Sequence, residues 1–365
     1  MKPDTLTTQE RIVFELRELY QSYGYRPYKV GKFEEYDLYM RNKKFLASEQ
    51  VLTFSDTNGK LKALKPDVTL SIVKNAKDDG RTQKLCYTET VYRVPRNAYG
   101  FREIMQTGLE CIGRVDDCAA GEVLILAARS LSRISERYLL DVSDVGVLSG
   151  VLAEEPIGDG ECAKLLSLVG EKNLHGLSAA CAEFGVTKAT ANLLAALVSA
   201  CGPLGETLDR VEALDLPETS RDALLGLRRM SDMLSADGIT QVNLDFSVVN
   251  DMDYYNGLVF RGFVEGIPSG ILAGGRYDNL LLRMGKHGEA IGFAVYLDQL
   301  DRLASAKPAI ENEALVLYDD ATDPQEIIRA ANALRARGLR CRVQREDEPC
   351  PNCREIVRLT KEARV

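Results

Sequence analysis

The sequence predicts an α+β fold, a mostly antiparallel sheet with helices laid against it. Three observations lead there. Leu85–Val94 and Glu103–Ile112 are apolar–polar mixtures around a loop with Asn97, Ala98 and Gly100, the pattern of a long hairpin. Val51–Ser55 and Lys60–Leu64 flank Asp56-Thr57-Asn58-Gly59, whose Asn-Gly pair favours a tight turn. The resulting order of helix, hairpin, helix, hairpin fits an antiparallel sheet and not a doubly wound one.

The elements follow in order. Thr7-Thr8-Gln9-Glu10 has the form of a capping box, and Ile12, Val13, Leu16, Leu19 and Tyr20 recur behind it at helical spacing. This helix is expected to end near Gly24, with an extended Tyr25–Gly31 after it and a short helix that Phe33-Glu34-Glu35-Tyr36-Asp37 begins. A helix over Val68–Ala76 follows Pro66, and an amphipathic helix is expected over Gly121–Leu140, then a strand over Val142–Leu148.

Between about Gly150 and Gly238 the composition shifts to Leu, Ala and Ser, with helical runs at Glu161–Val169, Asn173–Phe184, Lys188–Ala200 and Ser220–Ala236. This reads as an all-helical insertion, 151–238, into a core formed by 1–150 and 239–306. None of its residues forms a chemical constellation. Strands resume at Gln241–Ser247, Leu258–Val264, Ser269–Ala273 and Ala290–Tyr296, the last running into a helix. Beyond a linker at Lys307–Glu313, Ala314–Tyr318, Pro324–Arg337 and Leu339–Gln344 form a strand–helix–strand unit in a short C-terminal segment, 314–365.

Composition narrows the class. With 45% hydrophobic and 27% charged residues the chain is ordinary for a globular protein, and 365 residues allow two or three domains. No signal peptide or membrane span is expected. Nine scattered cysteines do not form the framework of a small secreted domain, so a reduced, cytoplasmic protein is expected. The net charge of −8 leaves Arg329–Arg345 as the one basic stretch, read as a solvated helix face.

P-loop, dinucleotide-binding and H-E-x-x-H signatures are absent. Cys350-Pro351-Asn352-Cys353 is a single C-x-x-C. Zinc needs about four ligands and Cys341 supplies only a third, so reduced thiols and no metal are expected.

The chemistry gathers on the long hairpin. Alternation puts Gln106, Gly108 and Glu110 on one face, with Arg93, Arg96 and Arg102 at the open end. That suits the ammonium and acidic groups of an amino acid, though solvated charges on a surface hairpin would look the same. The hairpin resembles motif 2 of class II aminoacyl-tRNA synthetases, and more closely the histidyl enzymes. Lys65-Pro66-Asp67-Val68-Thr69 resembles their L-R-P-E-G-T segment, Asp253-Tyr254-Tyr255-Asn256-Gly257 their D-Y-Y-T-G, Gly274-Gly275-Arg276-Tyr277-Asp278 their G-G-R-Y-D, and Gln106–Glu110 their Q-x-G-x-E. The resemblance covers about 1–310. It implies a class II synthetase-like core and a histidine site of Asp67, Thr69, Arg93, Gln106, Glu110, Tyr254, Tyr255 and Tyr277.

It also exposes departures. Pro95 replaces the motif 2 glutamate, Asn250 the arginine that acts at the α-phosphate, and Gln299 the motif 3 arginine, while Tyr296 stands where a glycine leaves room for the nucleotide. Losing one such charge donor costs about a hundredfold or more in rate. The C-terminal segment resembles only part of an anticodon-binding domain.

This combination is similar to the regulatory subunits of ATP phosphoribosyltransferase, the first enzyme of histidine biosynthesis. That likeness implies a chain with no catalytic residues and no cofactor. It would pair as a homodimer within a hetero-oligomer with the short-form catalytic subunit, take histidine as an allosteric ligand and bind no tRNA. The alternatives are a stand-alone histidine-sensing synthetase paralogue and an active histidyl-tRNA synthetase.

Overall fold

The computed structural model describes residues 6–46, 50–94, 100–249, 254–302 and 312–359. The chain forms two compact units that divide between residues 304 and 305.

The larger unit begins with α1 (Thr8–Ser22), β1 (Arg26–Pro27), β2 (Phe33–Glu35), α2 (Tyr36–Arg41), β3 (Thr53–Ser55), β4 (Leu61–Leu64) and α3 (Thr69–Asn75). The long hairpin is β5 (Gln83–Arg93) and β6 (Arg102–Gly113), followed by α4 (Asp117–Ile134), β7 (Tyr138–Asp144) and α5 (Val145–Leu152). Next come α6 (Asp159–Gly170), α7 (Leu174–Glu183), α8 (Lys188–Ser199), β8 (Cys201–Pro203), α9 (Leu204–Glu212) and α10 (Glu218–Ala236). The unit closes with β9 (Val242–Asp245), β10 (Leu258–Val264), β11 (Leu272–Arg276), α11 (Asp278–Arg283), β12 (Glu289–Tyr296) and a 3-10 turn, Leu297–Arg302.

Nine strands make one sheet in the order β1-β5-β6-β12-β11-β10-β7-β9-β8, antiparallel except for the β1–β5 and β7–β9 pairs. This is an α+β fold built on a mixed, largely antiparallel sheet. A small antiparallel sheet, β2-β4-β3, lies apart from it in sequence and pairing.

Strand alternation splits the main sheet into two chemically different faces. Leu109, Cys111, Phe260, Ile291, Phe293 and Val295 point to one face and share an apolar core with Ile12, Leu16 and Tyr20 of α1 and Val123, Leu124, Ala127 and Leu131 of α4. The opposite face carries Gln106, Gly108 and Glu110. Beside them, Tyr87, Val91, Ile112 and Ala290 pack with Leu70, Ile72 and Val73 of α3.

The N-terminal capping box forms as expected: the Thr7 hydroxyl accepts from the Glu10 amide, and Glu10 accepts from the Thr7 amide. Boundaries move elsewhere. Phe33–Glu35 is strand and not the start of a helix, because it pairs with β4. The helix expected to reach Leu140 stops at Ile134, since Tyr138–Leu140 pair with β10. Val145–Leu148, read as strand, belongs to α5, which Asp144 caps by accepting from the Gly146 amide. The stretch read as all-helical contains β8, which joins the edge of the main sheet beside β9, and an extra helix, α9.

The smaller unit holds β13 (Asn312–Tyr318), α12 (Pro324–Ala336), β14 (Cys341–Arg345) and β15 (Cys353–Arg358) as a parallel sheet ordered β14-β13-β15. The third strand was not expected, and it pairs along β13. Most of the basic stretch here is matched by acidic neighbours: Arg337 meets Glu355 at 2.9 Å, Arg345 meets Asp320 at 2.6 Å, Arg340 lies 3.8 Å from Glu313, and Arg342 lies 3.8 Å from Glu348. Among the described residues no helix is long and apolar enough to cross a membrane.

Candidate functional site

The polar face of the sheet floors a cavity of about 980 Å³ within the larger unit. The register explains why it is hollow. Gly292 lies opposite Glu110, Ala294 opposite Gly108, Gly275 opposite Gly292, and Ala273 opposite Ala294, so small residues pave the floor. A methyl group on Gly292 would overlap the Glu110 carboxylate, and one on Gly108 would strike the Phe293 carbonyl and the Tyr87 hydroxyl.

Glu110 sits at the centre, 2% exposed. Thr69 Oγ1 donates to one of its oxygens at 2.7 Å, and the Tyr277 hydroxyl donates to the other at 2.5 Å. Burial dominates its ionisation: it pushes the carboxyl up to about 8, against the lowering effect of those two hydrogen bonds and with Asp67 adding to the rise.

Asp67 is also buried, and its pKa too is raised by desolvation, although Arg93 and the amides at the start of α3 oppose the shift. Its Oδ1 accepts from the Leu70 amide at 2.8 Å, which places the carboxylate at the N-terminus of α3, where a negative charge is favoured. Gln106 is 2% exposed, lines the cavity, and its Nε2 has no hydrogen-bond partner among the described residues. A buried unpaired donor costs about 1–3 kcal/mol, so this one is suited to a ligand acceptor.

Tyr254, Tyr255 and Tyr277 form the aromatic side of the cavity, with ring centroids 4.8 Å (Tyr254–Tyr255) and 5.7 Å (Tyr254–Tyr277) apart. Within the Gly-Gly-Arg-Tyr-Asp segment only the tyrosine reaches Glu110. Arg276 and Asp278 are scaffold: Arg276 Nε donates to Asp278 at 2.7 Å and its far end pairs with Glu289, while Asp278 accepts from the Ala290 amide and from Asn256 Nδ2.

Arg93 differs from what a phosphate-binding arginine needs. Its Nε donates to the Pro66 carbonyl at 2.6 Å, its guanidinium lies 3.7 Å from Asp67, and Tyr296 beside it favours its charged form. Gln299 accepts from the Ser269 hydroxyl at 2.9 Å. Pro95 and Asn250 lie outside the described residues, as do Arg96 and Asp253.

All eight residues named from the sequence line this one cavity. Sequence reasoning missed others. Phe45 packs its ring 5.9 Å from that of Tyr254, and α6, within the 151–238 region, supplies Cys162, Ala163, Leu166 and Ser167 to a wall. Lys65 is 1% exposed and meets Glu89 at 2.5 Å, fixing the chain beside Pro66 and Asp67. The adjacency of Lys65 to Asp67 was visible in the sequence; its burial was not. Among the described residues no group of three or more His, Cys, Asp or Glu side chains could hold a metal ion.

A fold of this kind with a carboxylate-lined cavity on its sheet is that of a class II synthetase, and comparison specifies the family. A family model for histidyl-tRNA synthetase matches residues 1–300, so the chain belongs to that family. Among its relatives is an ATP phosphoribosyltransferase regulatory subunit from Clostridium kluyveri, 28% identical over 91% of this chain and 88% of that one. Among solved structures, a Bacillus halodurans protein described as an ATP phosphoribosyltransferase regulatory subunit/histidyl-tRNA synthetase matches with a TM-score of 0.79 and 24% identity over 99% of this chain and 98% of that one. A chain from the ATP phosphoribosyl transferase complex of Thermotoga maritima matches with a TM-score of 0.63 and 20% identity, over 80% of this chain and 98% of that one.

Proposed function

We propose that this protein is the regulatory subunit of ATP phosphoribosyltransferase. It activates a short catalytic subunit at the first step of histidine biosynthesis and mediates feedback inhibition by histidine. The observation that carries this reading is the asymmetry of the cavity. Glu110, Asp67, Thr69, Gln106 and Tyr277 form a complete amino-acid end, while Arg93 is tied to the Pro66 carbonyl and Asp67, with Tyr296 beside it. The names of its relatives supply the complex.

Histidine is the ligand proposed for the cavity. Asp67 takes its ammonium group, Glu110 its imidazole N–H, Gln106 Nε2 an acceptor atom, and the tyrosines its ring. The chain itself performs no chemistry and needs no cofactor in this reading. Absence of tRNA binding is supported by the ion pairs that occupy most of the arginines between 337 and 345. A homodimer within the hetero-oligomer, in the cytoplasm, completes the proposal.

Feedback requires histidine to bind the low-activity arrangement more tightly than the active one, typically by about 1–3 kcal/mol. The test is phosphoribosyl-ATP formation by the short catalytic subunit, with this protein added and histidine titrated. Stimulation by the protein and inhibition by histidine are expected. A competent catalytic subunit indifferent to the protein would overturn the reading.

A further inference from the structure

The C-x-x-C pair lies in the smaller unit, at the entrance to β15. Cys350 is exposed and Cys353 half-buried. Their thiols converge: Cys353 Sγ lies 3.0 Å and Cys350 Sγ 3.7 Å from the same atom, the Pro351 carbonyl oxygen. Cys341, the third thiol nearby in sequence, is on β14, with β13 between it and β15, and contacts the Arg342 carbonyl instead. This arrangement does not gather a metal-binding set. It does bring together two sulfur atoms of which one is open to solvent.

Gln344 secures the approach, donating from Nε2 to the Pro349 carbonyl at 3.2 Å. The pair is therefore held between a strand residue on one side and a paired strand, β15, on the other. Local order of this kind raises the effective concentration of one thiol at the other, which favours an internal disulfide over adducts with small thiols.

We propose that Cys350 and Cys353 form a reversible dithiol–disulfide site that exchanges with low-molecular-weight disulfides. The exposed Cys350 attacks first, as its thiolate; the small disulfide bond breaks, one small thiolate leaves, and a mixed disulfide remains on Cys350. The Cys353 thiolate then attacks the Cys350 sulfur and expels the second small thiolate. Two electrons and two protons leave the protein, and one small disulfide becomes two thiols. Partial burial together with Cys350 holds the Cys353 thiol above its ordinary range, consistent with its acting second.

The test uses the full chain in mixtures of reduced and oxidised glutathione, quenched by acid, alkylated and read by peptide mass spectrometry. An internal disulfide depends on the square of the reduced glutathione concentration and a mixed disulfide only on its first power. At a fixed ratio of reduced to oxidised glutathione, diluting both tenfold should therefore raise the oxidised-to-reduced ratio of the pair about tenfold. Adducts on the exposed Cys118 and Cys201 should not change. Cys353→Ser should accumulate a stable adduct on Cys350. Overturning results are an adduct on wild-type Cys350 as abundant as in Cys353→Ser, or both thiols still free where Cys118 already carries glutathione.

Discussion

The two ends of the cavity share a floor but differ in what their polar groups are doing. At the proposed amino-acid end, Glu110 and Asp67 are desolvated carboxylates held above their ordinary ionisation range, and Gln106 Nε2 has no partner among the described residues. Its groups are arranged but not exhausted. At the other end, Arg93 is engaged by the Pro66 carbonyl and Asp67, with Tyr296 beside it, and outside the cavity lining Gln299 is engaged by Ser269. On the function proposed above, the fold keeps one recognition function and closes another by altering which side chains satisfy each other.

The largest effect that would break this contrast comes from Lys65, which supports both ends. Removing one member of a buried ion pair leaves the other charge unpaired, a loss of about 3–5 kcal/mol. Lys65→Ala should lower stability by that order in urea denaturation, because Glu89 beside it is only 13% exposed. A change under about 0.5 kcal/mol would mean that the pair is not a fixed support.

Gly292→Ala acts on the amino-acid end alone. Its methyl group would overlap Glu110 and the Leu109 carbonyl, so an overpacking cost of about 1–3 kcal/mol and loss of histidine binding are expected. Glu110→Ala removes a charge-assisted partner worth roughly 1.5–3 kcal/mol, so histidine affinity should fall about tenfold to a hundredfold by calorimetry. Unchanged affinity would place the histidine site elsewhere.

The raised carboxyl of Glu110 gives a pH signature. Its proton is held in the folded chain up to about pH 8, but in the unfolded chain only to about 4.3. Between those values the folded state binds the extra proton, so stability falls as pH rises, by up to about 1.4 kcal/mol per unit. Glu110→Gln should flatten that slope. The smallest effect expected is at the far end: Tyr296→Phe removes the hydroxyl beside Arg93 and should change histidine affinity by less than about threefold.

Much of this was legible in the sequence because it rests on local rules. Alternation alone placed Gln106, Gly108 and Glu110 together, and the Asn58-Gly59 turn set the small hairpin, with Gly59 at φ +80°. What was hidden depends on pairing between distant segments. Tyr138–Leu140 have helical character but are recruited by β10, and Cys201–Pro203 become a strand only because β9 offers an edge. Likewise Arg276 and Asp278 flank Tyr277 in the same motif. Only the fold reveals that they brace the strand, since alternation could not say which of the three would meet Glu110 across the sheet. The contribution of α6 to the cavity wall has no sequence signal: Cys162, Ala163 and Leu166 read as ordinary helix core.

The most direct test of the contrast is calorimetric titration of the full chain with histidine and, separately, with ATP, at neutral pH in two buffers of different ionisation enthalpy. Histidine is predicted to bind saturably and to release protons, because an N–H donor at Glu110 favours its charged form, while ATP gives no saturable heat. Saturable ATP binding together with histidine-dependent exchange of pyrophosphate into ATP would contradict the account, since the closed end of the cavity would then be working.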